Sequence, residues 1–178
     1  MPSVDDVEYL TGLLSNELED IRYWGAVGFN TLASRGEIKN APKELIAGMQ
    51  DPVSDIAVMS AEALCYLTED KAPLMFLYDK FKNNDNVAYS ALETLTWYPE
   101  QKKKVLLLTD KLEELLAENE VNKDNRMIVY LKIRSLLVNL DRLSIRDLYP
   151  KSDKERGKKL NINSRHFEYP KGMILSQE

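Results

Sequence analysis

The sequence predicts an all-α fold of stacked helical hairpins, an α-α superhelix. Three blocks share one pattern: a polar residue, then a β-branched residue, then small residues and leucines at helical spacing. The branched residues are Ile21, Ile56 and Val87, which lie 35 and 31 residues apart. Internal repeats with periods of this length form stacks of helical pairs. We therefore expect about three hairpins followed by a terminal helix pair.

Each block reads as two helices joined by a turn. In the first block, an apolar stripe predicts the first helix. Asp20 is expected to cap the second helix of this block, and Gly36 is expected to end that helix. In the second, Pro42 suits the first turn of a helix and residues 51–52 form the turn. In the third, the polar turn is at residues 83–86, and the second helix stops before Pro99. The stripe of the first helix is Val7, Leu10, Leu13 and Leu14.

Small side chains recur at the fourth and fifth positions after each branched residue. The pairs are Gly25–Ala26, Ser60–Ala61 and Ala91–Leu92. Small residues allow two helices to approach closely, so these positions predict the seam within or between hairpins.

The repeat fades beyond Pro99. Residues 105–116 predict one long helix, residues 127–140 predict another, and residues 119–125 are the expected turn. This pair suits the atypical terminal cap that solenoids need. We expect a helical repeat domain over residues 1–149 and an extended basic tail over residues 150–178.

Charge and composition exclude several classes of protein. The net charge is −5, and it divides into −8 for residues 1–149 and +3 for residues 150–178. The acidic body argues against a nucleic-acid partner, because phosphate contacts need clustered positive charge. No run approaches the ~20 apolar residues of a membrane span. The first residues lack the basic and apolar regions of a signal peptide, which suits a cytoplasmic protein or an internal fragment.

The sequence offers no recognisable catalytic or metal-binding set, and it predicts no cofactor for this chain. One histidine, His166, and one cysteine, Cys65, cannot supply the three or four ligands of a zinc site. The glycines have no phosphate-loop spacing. Cys65 lies in an alanine- and leucine-rich run, which favours a small buried residue over a reactive thiol. Carboxylate pairs such as Glu113–Glu114 are expected on solvated helix faces.

The candidate interaction residues are four aromatic side chains and one arginine. Trp24, three residues after Ile21, is expected mainly to pack between helices, and Trp97 to plug the gap before the terminal pair. The alternative is an aromatic contact surface for a partner or a sugar. Arg22 is interpreted as a local ion-pair or interface residue. The full set is Arg22, Tyr23, Trp24, Trp97 and Tyr98.

Residues 4–98 resemble HEAT-type repeats. A narrower resemblance is carried by DIRYWGAVG at residues 20–28, by Asp51–Pro52, by Ala61 to Leu64, and by NSRHFEYP at residues 163–170. These segments are similar to the repeat that follows the catalytic domain in bacterial sulfatases of the heparan N-sulfatase-like group. The sulfatase nucleophile motif, Cys or Ser-x-Pro-x-Arg, is missing, so no catalytic residue is carried over.

The resemblance implies a non-catalytic C-terminal accessory domain of a larger sulfatase-like hydrolase acting on sulfated glycans. Such a parent would use calcium and a formylglycine and would be periplasmic or secreted. This chain would pack against the catalytic domain and expose an apolar patch there. The alternatives are a self-standing HEAT-like scaffold that binds protein partners, cytoplasmic in that case, and a small enzyme with His166 or Cys65 in a pocket.

Overall fold

The structure, a computed structural model, describes residues 6–144 apart from residue 122 and the side chains of residues 121–126. Within this range the chain is helical and contains no strand, as the sequence predicts. A 3-10 turn lies at Leu106–Leu108. The α-helices of this range are α1 (Val7–Leu14), α2 (Glu19–Ser34), α3 (Lys43–Gly48), α4 (Ser54–Leu67), α5 (Ala72–Lys82), α6 (Asn86–Thr96), α7 (Pro99–Val105), α8 (Thr109–Val121) and α9 (Lys123–Asn139).

The helices of the first three blocks pair as the repeat predicts. Helix α1 packs on α2, α3 on α4, and α5 on α6. The second helices are also neighbours, because α2 contacts α4 and α4 contacts α6. Helix α4 is therefore surrounded, and most of its residues are buried. A helix enclosed in this way needs an apolar or small residue at nearly every position.

Two apolar clusters form the core. One joins α1 and α2 to α3 and α4, and includes Phe29, Leu32 and Leu45. The other extends from α4 through α9, and includes Phe81 and Ile133. Both clusters take residues from α4, so this helix ties the first hairpin to the terminal helices.

Glycines bring the first hairpin close together. A Cβ added to Gly25 would lie 2.6 Å from the backbone nitrogen of Leu14. One added to Gly28 would overlap a methyl carbon of Leu10. At Gly25 the close approach of α1 to α2 requires the absence of a side chain, because the added atom would meet backbone; at Gly28 it would meet only the Leu10 side chain, which can shift. The predicted role of small residues is confirmed here.

The helix ends follow the sequence only in part. Asp85 caps α6 and accepts hydrogen bonds from the N–H groups of Val87 and Ala88, and Gly36 follows α2 with a φ of +69°. The expected Asp20 cap is wrong, because α2 already begins at Glu19 and Asp20 lies inside the first turn. The turn before α2 is instead held by Asn16, whose side chain accepts from the Leu18 N–H at 2.9 Å.

The terminal helices depart from the predicted long pair. Residues 105–116 do not form one helix: α7 ends at Val105, the 3-10 turn follows, and α8 begins at Thr109. Val105, Leu108 and Leu112, on both sides of and within the break, all belong to one apolar cluster. The predicted turn at residues 119–125 is also wrong, since α8 continues to Val121 and α9 begins at Lys123.

By its internal contacts the chain divides into two units, Met1–Leu148 and Tyr149–Glu178. The predicted extended tail and His166 lie outside the described residues.

Candidate functional site

Arg22 joins the first two hairpins. Its guanidinium donates to Asp51 through Nε at 2.6 Å and Nη2 at 3.2 Å. Its Nη1 also donates to the carbonyls of Asn16 and Glu17 at 3.1 and 2.8 Å. Paired, forked contacts of this kind are the geometry that arginine favours with carboxylates. The ion-pair interpretation of Arg22 is confirmed, and this guanidinium is occupied within the chain.

The same contact holds the turn before α4. Burial alone would raise the pKa of Asp51, but hydrogen bonds from Arg22 and the Val53 N–H outweigh burial and lower it. The hydrogen bond to Asp51 is the main cause that raises the pKa of Arg22 above its ordinary value. Asp51 is therefore charged at neutral pH, and it fixes the start of α4 against the start of α2.

Trp24 and Tyr23 form an exposed aromatic pair on α2. Their rings are 5.7 Å apart and meet edge to face at 71°. Trp24 is 63% exposed, so the expectation that it packs between helices is wrong. Large aromatic side chains left in water at this level mark candidate contact surfaces, because their burial by a partner is favourable.

Trp97 and Tyr98 lie at the other end of the hairpins, between α6 and α7. Trp97 is 68% exposed and does not plug a gap before the terminal helices. Tyr98 is partly exposed and packs edge to face on Tyr66 of α4, with ring centroids 5.5 Å apart. Among the described residues no ring contact joins this pair to Tyr23 and Trp24, so the predicted aromatics form two separate surfaces.

A surface pocket of about 430 Å³ lies beside Tyr66. Its lysines are already paired. Lys104 donates to the carbonyls of Cys65 and Thr68 at 2.9 and 2.7 Å, which satisfies the C-terminal end of α4. Lys103 pairs with Glu100 at 2.8 Å. Lys104 is therefore committed to the fold, whereas the Lys103–Glu100 pair is an exposed surface contact. It is lined by Tyr66, Glu69, Glu100, Gln101, Lys103, Lys104 and Leu107.

Glu62 is a buried carboxylate at the seam between α2 and α4. Only 4% of it is exposed, and it accepts one hydrogen bond, from Asn30 Nδ2 at 2.8 Å. Burial raises its pKa to about 7, against the lowering effect of Asn30 and Tyr66. The Tyr66 hydroxyl lies close enough to act on this carboxylate, but no hydrogen bond of good geometry joins them.

No cation stabilises the charged form of Glu62 in the described part of the chain. The nearby Cys65 thiol is buried as well, and burial raises its pKa to about 12. This thiol is therefore inert at neutral pH, as its sequence context predicts. Neither group is open to a substrate in this arrangement.

Sequence reasoning missed Glu62, although a signal was present. It is the one charged residue in the apolar run at residues 56–67. A carboxylate inside a helix that is apolar on every face must be buried, whereas Glu113 and Glu114 lie exposed as predicted.

The described residues contain no group of three or more His, Cys, Asp and Glu side chains placed to hold a metal ion. None of the helices in the described ranges has both the length and the apolar character to cross a membrane. Comparisons with family models, curated proteins and solved structures found no match to this chain. The candidate site is the exposed aromatic pair of α2, Tyr23 and Trp24.

Proposed function

We propose that this chain is a non-catalytic interaction module, a HEAT-like helical repeat that binds another protein or domain. The observation that carries this proposal is the exposed pair of Tyr23 and Trp24 on the first hairpin. A tryptophan and a tyrosine together offer a large apolar area at low conformational cost, which is why such residues dominate binding energy at interfaces.

A second observation supports this proposal: the charged and nucleophilic side chains discussed above make contacts within the fold. Arg22 and Lys104 are bound to other parts of the same fold. Cys65 and Glu62 are buried. The charged and nucleophilic groups singled out in the described residues thus serve the fold, and the exposed aromatics remain for a partner.

The narrower form of the proposal is an accessory domain of a sulfatase-like hydrolase that acts on sulfated glycans. It depends on the resemblance of residues 20–28 and 163–170. Trp24, a central residue of the first segment, is exposed as a docking residue would be. In this setting the partner is the catalytic domain, the compartment is periplasmic or extracellular, and calcium and formylglycine belong to the parent. The alternative is a self-standing scaffold for protein partners.

Site-specific photo-crosslinking in the source cell tests the interaction proposal. A photoreactive amino acid replaces Trp24 in one variant and Trp97 in a second. The matched control replaces Ile46, which is 55% exposed on α3. We expect one discrete crosslinked protein from position 24 and none from position 46. Equal yields from positions 24 and 46, or no specific product from position 24, would contradict the proposal.

The sequence upstream of codon 1 separates the two settings. An open reading frame that encodes Cys or Ser-x-Pro-x-Arg in a catalytic domain supports the sulfatase accessory role. An in-frame stop codon with a ribosome-binding site directly before Met1 supports a self-standing scaffold.

A further inference from the structure

The repeat spacing makes Trp24 of α2 equivalent to Met59 of α4, and Val27 equivalent to Glu62, because each pair lies 35 residues apart. In α4 these positions face the preceding hairpin. The Asn30 amide nitrogen of α2 lies 3.6 Å from the Met59 sulfur and donates to Glu62 at 2.8 Å. Positions 59 and 62 thus form the face by which α4 stacks on α2.

The equivalent face of α2 is less covered in the part of the chain that the structure describes: Asp20 and Trp24 are exposed there, and Val27 and Thr31 are half-buried. Trp24 lies six residues before Asn30, which places it about 120° around the helix from the side that faces α4. No helix precedes α1 in the described residues. Trp24 is 63% exposed, whereas its counterpart Met59 is only partly exposed and packs against the core cluster of the first two hairpins. We define the stacking face of α2 as Asp20, Trp24, Val27 and Thr31.

The opposite end of the hairpins is covered. Helix α6 contacts α7 and α9, and its residues Leu92 and Leu95 are buried in the cluster shared with them. In the described part of the chain the stack can therefore be extended only at α2. A second copy of this chain cannot continue the stack in the same register, since its own α6 is covered by α7 and α9.

The start of α2 adds a charge preference. Glu19 and Asp20 are both exposed, and Asp20 lies one helical turn before Trp24 on the stacking face. The neighbouring Arg22 does not neutralise them, because its guanidinium is bound to Asp51. A partner that covers this end is favoured when it carries Lys or Arg there.

The geometry points to a helical hairpin of a partner protein or domain as the occupant of the stacking face. It would pack on α2 in the register in which α2 packs on α4, with an apolar stripe against Trp24 and Val27 and a basic residue near Asp20. This inference rests on the proposed function, and it specifies the kind of partner.

An extended chain tests whether this face accepts a hairpin. A copy of residues 6–42 is fused ahead of residue 6, so that the native residues 35–42 serve as the linker. Trp97 and the Trp24 of the added copy are both changed to Phe, which leaves the original Trp24 as the single tryptophan. We expect acrylamide quenching of Trp24 to fall several-fold relative to the unextended Trp97→Phe chain, with a blue shift of its emission.

The matched control carries Asn30→Arg in the added copy, which places a bulky charge on the side that must face the original α2. We expect this control to leave Trp24 as accessible as it is in the unextended chain. The inference would be overturned if circular dichroism showed that the added helices are folded and Trp24 were still fully accessible to acrylamide.

Crosslink mapping provides a second test that does not depend on folding of the added copy. Photoreactive residues at positions 24, 27 and 31 should label one partner helix at residues spaced three or four apart. Labels that follow an extended segment, or a second copy of this chain, would overturn the inference while the interaction proposal stands. No specific product at position 24 would instead contradict the proposed function itself.

Discussion

At the scale of single residues, two side chains have unusual surroundings. Trp24 has a large apolar ring in water, and Glu62 has a carboxylate in the core. Each placement has an energetic cost, since water does not favour the ring and the core does not favour a charge. The proposed interaction rests on this exposed ring. The carboxylate links α2 to α4 through Asn30.

Replacing Trp24 with alanine should separate binding from stability. Because Trp24 is 63% exposed, we expect Trp24→Ala to change the free energy of unfolding by no more than about 0.5 kcal/mol. Phe29→Ala is the control for a buried ring, and it should cost about 3–5 kcal/mol. Urea denaturation measures both. A loss for Trp24→Ala as large as that for Phe29→Ala would place Trp24 in the core.

Glu62 should make stability depend on pH. Its pKa is about 7 when folded and near 4.5 as an ordinary carboxyl, so the folded state binds the proton more tightly. The stability contribution of this group is fully present below pH 4.5. It falls as the pH rises from 4.5 to 7, and it is lost above 7.

We therefore expect Glu62→Gln to stabilise the protein at pH 8 by up to about 3 kcal/mol, since the amide keeps an acceptor for Asn30 and carries no charge. At pH 4.5 the two proteins should be nearly equally stable. Thermal denaturation over pH 4.5–8 measures the difference. Parallel stability curves for the two proteins would show that Glu62 is not a source of the pH dependence.

At the scale of helices, small side chains set the distances between axes. Gly25 and Gly28 let α1 lie close on α2. Ala57 and Ala61 are buried in α4, where the second and third hairpins meet. Overpacking such a position forces backbone or side-chain movement, so its cost depends on what the added atoms meet.

Two glycines in one hairpin should respond to alanine with opposite signs. Gly25→Ala puts a methyl group 2.6 Å from the Leu14 backbone nitrogen, and we expect a net loss of about 1–3 kcal/mol. Gly12→Ala meets no atom within 4 Å, and it should stabilise α1 by up to about 1 kcal/mol. Chemical denaturation of the two variants and the parent chain gives the change in the free energy of unfolding for each. Equal effects would mean that α1 does not approach α2 at Gly25.

Ala61→Leu tests the seam around α4. Ala61 is fully buried, so we expect overpacking to cost about 1–3 kcal/mol. The same change at Ala47, which is exposed on α3, should stay within about 0.5 kcal/mol. An unchanged melting curve for Ala61→Leu would place this residue at the surface and undermine the repeat alignment.

At the scale of the whole described unit, α4 links the two apolar clusters. Tyr66 and Met49 pack against both clusters, and residues of α4 belong to each. Disruption of either cluster therefore removes packing from the same helix. This sharing couples the first hairpin to the terminal helices.

We expect the described helices to unfold in one cooperative transition. Helix content from circular dichroism, and the emission of single-tryptophan chains that keep either Trp24 or Trp97, should give the same urea midpoint. Phe29→Ala and Ala61→Leu, which lie in different clusters, should each lower this shared midpoint. If the Trp24 emission changed at a lower urea concentration than the Trp97 emission, the two clusters would unfold independently.

How far the sequence predicts the structure depends on whether a feature is local. The polar turn at residues 83–86 and the stop at Gly36 were predictable, because each depends on neighbours within a few residues. The helix pairs were predictable from the repeat. The break at Leu106–Leu108 was not, since an unbroken leucine-rich pattern also suits one helix. The exposure of Trp24 was missed for the same reason: helical spacing shows which residues share a face, but not which faces are covered.

The sequence by itself determined that this chain forms helical pairs with small residues at their contacts, since periodicity and turn chemistry act over short distances. Only the tertiary structure decided that Arg22 is bound to Asp51, that Glu62 is enclosed, and that Trp24 is exposed. Burial and pairing depend on which helices stack together, and that is a property of distant parts of the chain in contact.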